Sequence, residues 1–387
     1  MTPTVGEEHG EEDRRGQARY TLTDTKHGQV WGACAEVEGL FGEPRRGTYE
    51  LFGWVPEGDE VCGWAGRRVW LVPEDEDLGP WLLDDAESLG QHPGTDGLVL
   101  TGLDDCEGPP VGHRGSVRPH DQHRWLGTCR EFARVLAPER VEPPLVLRDL
   151  VPGEALRRAL TAGTRRALDL GEAALVIRDD SGEPLARLLL WTRVDAYHPS
   201  APEAGLIDLE LDGRFFTPVP EHARPVWEQW LTGPPETPGV WAGLDTRRRG
   251  AWLDVVQERV CRRPRPDQPA GHVYELDGRH ITDVPGLHLA LGEAVNGPGG
   301  YFGGCLAALD DCLRGGFGYT SPGTLLWRDS ATAREHLSRT LTPDGQPYDL
   351  FAGVLDTLTR GRDARRLGLI ADGEGAGQTQ CSRVMKP

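Results

Sequence analysis

Ten residues divide this chain. From Cys261 to Ala270 the sequence reads Cys-Arg-Arg-Pro-Arg-Pro-Asp-Gln-Pro-Ala, three prolines and three arginines in close succession. Each proline lacks a backbone donor and pushes its predecessor out of helical space. Residues 261–270 therefore read as an extended linker.

The pattern after the linker is regular. Val273-Tyr274-Glu275-Leu276 reads as a strand turned by Asp277-Gly278. Thr282 or Asp283 can cap a helix whose apolar positions are Leu287, Leu291, Ala294 and Val295, with Pro285 in its first turn. A glycine-rich loop, 297–304, then delivers Tyr301 and Phe302 to a short helix stopped by Gly315-Gly316. On that helix Leu306, Leu309 and Leu313 share one face. Ala307, Asp311 and Arg314 share another, with Asp310 beside them. Charge on a helix exterior is ordinarily solvated surface, and the same front also suits docking. Thr324–Trp327 reads as a second strand, Ser330–Leu341 and Tyr348–Thr359 as helices, and Arg366–Ala371 as a closing strand. The order is β-α-α-β-α-α-β, with parallel strands joined by helical crossovers.

Before the linker the reading is β-rich. Short runs such as Tyr20–Thr23, Tyr49–Phe52 and Arg68–Val72 suit strands, and 90–122 reads as a loop rich in Gly, Pro and His. Trp125–Val135 and Glu154–Leu168 read as helices. Strands return over 172–217, whose first hairpin echoes the N-terminal one. Pro225–Leu231 reads as a helix, and 250–260 as helix or strand. The 51 glycines and 31 prolines among 387 residues favour many turns and short elements throughout.

Charge narrows function. Forty-two Lys and Arg against sixty-one Asp and Glu give −19, which repels phosphate backbones and attracts basic partners. Direct nucleic-acid binding is not expected. The first nineteen residues lack the apolar segment of a signal peptide, and no apolar run is long enough to span a membrane, so the cytoplasm is the expected compartment. Eight cysteines without CxxC spacing read as free, mostly buried thiols, with Cys305 and Cys312 flanking the buried side of the short helix. His113, His120 and His123 lack the ligand company of a zinc site, and no cofactor is implied. No phosphate-binding loop or nucleophile elbow is present. Asp310 and Asp311, adjacent on a helix, do not face each other as an acid/base pair. An enzyme is therefore not expected.

Residues 273–371 resemble the barstar family, intracellular inhibitors of the ribonuclease barnase. The resemblance rests on Leu276-Asp277-Gly278, Leu287-His288, Tyr301-Phe302-Gly303, the helix carrying Leu306, Leu309, Asp311, Cys312 and Leu313, and Trp327-Arg328. It implies that the loop and the front of that helix plug a ribonuclease active site. By position, Tyr301 matches a contact aromatic, Asp311 the dominant acidic contact and Asp356 a further partner-facing acid. The face implied comprises Tyr301, Gly303, Ala307, Asp310, Asp311, Arg314 and Asp356. It departs from the family where Ala307 replaces an acid, Cys305 an Asn, Asp310 a Trp and Arg314 a small hydroxyl residue.

The fold class expected is α+β multidomain. Its C-terminal part is a three-layer-like α/β domain with a small three-stranded parallel sheet and four helices, behind a β-rich N-terminal and middle region. The expected divisions are a disordered acidic leader (1–18), a β-rich domain with its loop (19–122), a mixed α+β domain (123–260), the linker (261–270), a barstar-like domain (271–372) and a flexible tail (373–387). The resemblance implies an inhibitor of a basic ribonuclease or, in a toxin-neutralising role, of a ribonuclease-type toxin. The alternative is a barstar-fold interaction or structural module that binds a partner through its N-terminal β-rich region.

Overall fold

The computed structural model describes residues 18–59, 61–75, 77–91, 94–104, 108–110, 112–135, 144–162, 168–200, 205–260, 266–360 and 367–371. The expected leader (but for residue 18), the expected tail and residues 261–265 of the expected linker lie outside them. The chain forms two compact units. The first takes in Met1–Glu236, Gly243–Arg263 and Leu341–Gln346, and the second Thr237–Ala242, Pro264–Thr340 and Pro347–Pro387.

In the first unit, strands β1 (Tyr20–Asp24), β2 (Val30–Cys34) and β3 (Glu36–Glu38) precede β4 (Gly47–Phe52) and β5 (Val55–Pro56). Strands β6 (Gly63–Pro73), β7 (Trp81–Gln91), β8 (Leu98–Leu103) and β9 (Val117–His120) come next. Then follow β10 (Gly127–Thr128), β11 (Glu131–Val135), β12 (Leu145–Pro152) and helix α1 (Glu154–Thr161). Strands β13 (Leu168–Arg178), β14 (Pro184–Pro199) and β15 (Ile207–Phe215) and helices α2 (Arg224–Thr232) and α3 (Thr246–Val260) complete the series.

One sheet runs β15-β14-β13-β1-β2-β12-β3, and β15 also pairs with β12. Six antiparallel strands thus close on themselves, which removes their free edges. Leu22, Leu175, Ile177, Leu190 and Leu209 are fully buried, whereas Leu189, Trp191 and Phe216 stay exposed. The second sheet runs β11-β4-β8-β7-β6-β9 over a core that includes Tyr49, Leu71, Leu83, Leu100 and Phe132.

Two expectations are corrected here. Segment 90–122 is not all loop, because Leu98 and Leu100 alternate with half-buried or polar neighbours and β8 and β9 both join the second sheet. Trp125–Val135 is not a helix. Phe132 stacks on Tyr49 of the adjoining strand at 4.9 Å, and that tertiary contact overrides the helical spacing. The two similar hairpins lie side by side in one sheet, Leu22 opposite Leu175. Strand pairing also runs across residues 122 and 123, since β11 pairs with β4.

A charge network lies within this unit. Asp85 sits at a bulge of β7 with φ +47°. Its carboxylate accepts from Arg46 at 2.5 Å, Arg247 at 2.7 Å and the Trp64 indole at 3.0 Å. Arg247 also pairs with Glu87 at 2.7 Å. Burial pushes the Asp85 carboxyl up, but the Arg247 bond and the Arg46 charge outweigh it, so it titrates below the usual range.

The second unit carries β16 (Val273–Asp277), α4 (Val284–Asn296), α5 (Leu306–Cys312), β17 (Gly323–Arg328) and α6 (Ser330–Leu337). After the short pair β18 (Thr340–Leu341) and β19 (Pro347–Tyr348) come α7 (Leu350–Thr359) and β20 (Leu367–Ala371). Strands β16, β17 and β20 pair in parallel, Tyr274 opposite Leu325 and Leu276 opposite Trp327. Those four side chains are buried, while Val273 and Glu275 face outward. The helix expected to reach Leu341 ends at Leu337, and Thr340 begins a strand instead.

Candidate partner-binding face

Helix α4 sets the platform. Asp283 caps it by accepting from the Gly286 amide at 2.7 Å, with Pro285 in the first turn. The helix is apolar nearly all round, and Leu287, His288, Leu289, Ala290 and Leu291 are all buried. Segment 237–242 covers part of it. Gly239 donates to Glu293 at 2.8 Å, and the Trp241 ring, 3% exposed, lies beside Gly286. Burial raises the Glu293 carboxyl above its usual range. Sequence reading did not join this segment to the helix, because the two are separated by the proline-rich stretch.

Asn296, the last residue of α4, ties together the loops on either side of α5. Its buried amide donates to the Tyr301 carbonyl at 2.8 Å and to the Phe317 carbonyl at 2.9 Å. Asp267, within the stretch read as linker, accepts from the amides of Gly316 at 2.9 Å and Gly318 at 2.8 Å. Gln268 donates to the Gly318 carbonyl. These residues brace the loop that ends α5. Nothing in the local pattern signals either brace, since Asn296 reaches Phe317, 21 residues on, and Asp267 reaches Gly316, 49 residues on.

The loop before α5 passes close over the helix. At Gly303, with φ +86°, a Cβ would lie 2.7 Å from the Leu309 amide nitrogen, so only glycine fits. Cys305 is the N-cap, its Sγ accepting from the Ala308 amide at 3.5 Å. That position exposes it, so Cys312 alone of the two faces the core, where burial pushes its thiol up to about 12. Leu309 is fully buried, whereas Leu306 and Leu313 are only half-buried.

The front of α5 carries Ala307, Asp310 and Asp311, with Arg314 just past its end, all exposed or half-exposed. Tyr301 differs, being buried at 7% exposed. Arg314 spans both acids: its Nη2 pairs with Asp310 and its Nη1 lies 3.3 Å from the Asp311 carboxylate. Its positive charge is therefore held on the two acids. Asp356 is exposed on α7, which packs against α5, and is paired with Arg360.

Tyr348, read from the sequence as the start of a helix, lies in β19 instead and joins these helices. A Cβ added to Gly353 would meet the Tyr348 hydroxyl and lie 3.5 Å from Leu306 Cδ1, so the ring rests where α5 and α7 meet. It remains 38% exposed. Tyrosine is among the residues enriched at binding hot spots.

The histidines do not assemble a metal centre. The His113 ring packs on Trp81 at 4.5 Å and the buried His120 ring on Trp125 at 4.9 Å. Among the described residues no group of three or more His, Cys, Asp or Glu could hold a metal ion. Nor is any helix among them long and apolar enough to cross a membrane.

Residues 271–343 match the family described as Barstar (barnase inhibitor), and this segment is a barstar-like domain. The match contains β16, α4, α5, β17 and α6, and ends before Asp356. Comparisons with curated proteins and with solved structures give no match.

Proposed function

We propose that this protein is an inhibitor whose barstar-like domain occupies the active site of a basic ribonuclease or ribonuclease-type toxin. The family match carries the reading, because the short acidic helix lies within it. Ribonuclease sites gather Arg, Lys and His around substrate phosphates. Asp311, with Asp310 beside it and Asp356 on the adjoining helix, would meet those groups with charge-assisted hydrogen bonds. Gly303 lets the loop lie close, and Ala307 leaves room where a partner could approach. No catalytic step belongs to this chain in that role; it acts by filling the site of another protein.

The test is inhibition of barnase-catalysed RNA cleavage by the full-length chain and by Asp311→Ala. Loss of one such acid should weaken binding by about 2–5 kcal/mol. Absence of inhibition by the unaltered chain at micromolar concentration would remove the reading for barnase-type enzymes.

One observation favours a second reading, an interaction module working through the β-rich unit. Leu189, Trp191 and Phe216 are 37%, 57% and 58% exposed, and the Phe216 amide donates to the Leu189 carbonyl, which makes the residues cross-strand neighbours. If Trp191→Ser with Phe216→Ser abolishes partner capture while Asp311→Ala leaves it intact, this second reading replaces the first.

A further inference from the structure

We propose that Arg314 and Arg360 are internal place-holders: each occupies an acid of the candidate face in the free chain and is displaced by a cationic group of the partner. This rests on the reading of that face as a surface for a basic ribonuclease.

The same arrangement occurs twice, at the C-terminal ends of separate helices. Arg314, two residues beyond α5, lies four residues after Asp310 and three after Asp311, and pairs with both. Arg360, which directly follows α7, lies four residues after Asp356 and pairs with it. Backbone bonds keep the helical spacing past both ends: the Arg314 amide donates to the Asp311 carbonyl at 3.0 Å and the Arg360 amide to the Asp356 carbonyl at 2.7 Å. Gly315 and Gly316, with φ +105° and +86°, then turn the chain away. Arg314 thus stays just past the last turn of α5, beside the acids.

A guanidinium from a partner would need the carboxylate oxygens that these arginines now hold, and two guanidinium groups do not share them without like-charge repulsion. Exchange is feasible because all the pairs are exposed, and exposed pairs are held weakly. While Arg314 is in place, the trio carries −1 rather than −2, which weakens the field that steers a basic partner. The place-holders therefore make the face selective. A partner offering several clustered cations displaces them, whereas one with a single surface lysine gains little from the exchange.

The experiment uses the full-length chain and its Arg314→Gln, Arg360→Gln and doubly substituted forms, with barnase as the probe in stopped-flow association. Arg314→Gln should associate faster by about 3- to 10-fold at low ionic strength and lose rate more steeply as salt is added. The double variant should exceed either single one. A rate equal to or below that of the unaltered chain overturns the proposal. A second measurement needs no partner: the heteronuclear NOE of the Arg314 Nε, compared between the unaltered chain and Asp310→Asn/Asp311→Asn. It should fall in the variant, and an equal value overturns the place-holder whatever barnase does. If that NOE falls but no form binds barnase at micromolar concentration, Arg314 is held by the acids and the ribonuclease reading is what fails; the exchange proposed with barnase fails with it.

Discussion

The Trp241 ring lies against Gly286, where an added Cβ would come within 3.3 Å of it. These residues are far apart in sequence and separated by the proline-rich stretch, yet both belong to the second unit. The compact unit that holds the family match is therefore larger than the match, because its first helix is covered from upstream.

Trp241→Ala should destabilise the second unit by about 3–5 kcal/mol, since a large buried ring is removed and the cavity persists. A fragment starting at residue 236 should unfold cooperatively in urea. One starting at 271 should unfold at lower urea or expose apolar surface to a dye. Equal midpoints would show that the segment is not part of the folded unit.

Asn296→Ala should leave the buried Tyr301 carbonyl and the half-buried Phe317 carbonyl without the donor that joins them. The cost is about 1–3 kcal/mol per unsatisfied group, read as a lower thermal midpoint. Amide exchange should quicken in the loops on both sides of α5, and exchange quickened on one side alone would argue against a shared brace.

Asp85 sets the acid sensitivity of the first unit. Its carboxyl titrates lower folded than unfolded, so its stabilisation is present above the unfolded value of about 3.9 and is lost as pH falls through the lower folded value. Unfolding followed below pH 4 should show this loss, and Asp85→Asn should flatten that part of the profile. At neutral pH the same variant removes the carboxylate that Arg46 and Arg247 share, leaving them Glu43 and Glu87, and should cost about 1–3 kcal/mol. A neutral-pH midpoint unchanged by the substitution would show the network contributes nothing.

Tyr348→Ala removes the aromatic at the junction of α5 and α7 without removing a fully buried side chain. On the proposed reading it should speed dissociation from barnase roughly 10-fold or more, the scale of a hot-spot truncation above 1 kcal/mol. Association should change far less, because no charge is altered. An unchanged dissociation rate would place Tyr348 outside the contact.

The elements legible from the sequence were those whose signals are local. Alternation marked Val273–Leu276, a proline and a capping acid marked the start of α4, and paired glycines marked the end of α5. The order of those signals was enough to find the barstar-like segment. Local spacing failed at Trp125–Val135, where helical and strand periodicities both fit and a stacked neighbour from β4 decides between them. It also failed for Asp267, whose prolines speak for an extended chain while its carboxylate closes a loop some fifty residues on. For the face itself, the sequence placed Asp310, Asp311 and Arg314 on one short helix by their spacing alone. Only the tertiary structure buried Tyr301, set Tyr348 against Gly353 and folded Arg314 onto the acids. Each of those depends on what another element, or a side-chain torsion, brings within a few ångströms, and no periodicity along the chain records that.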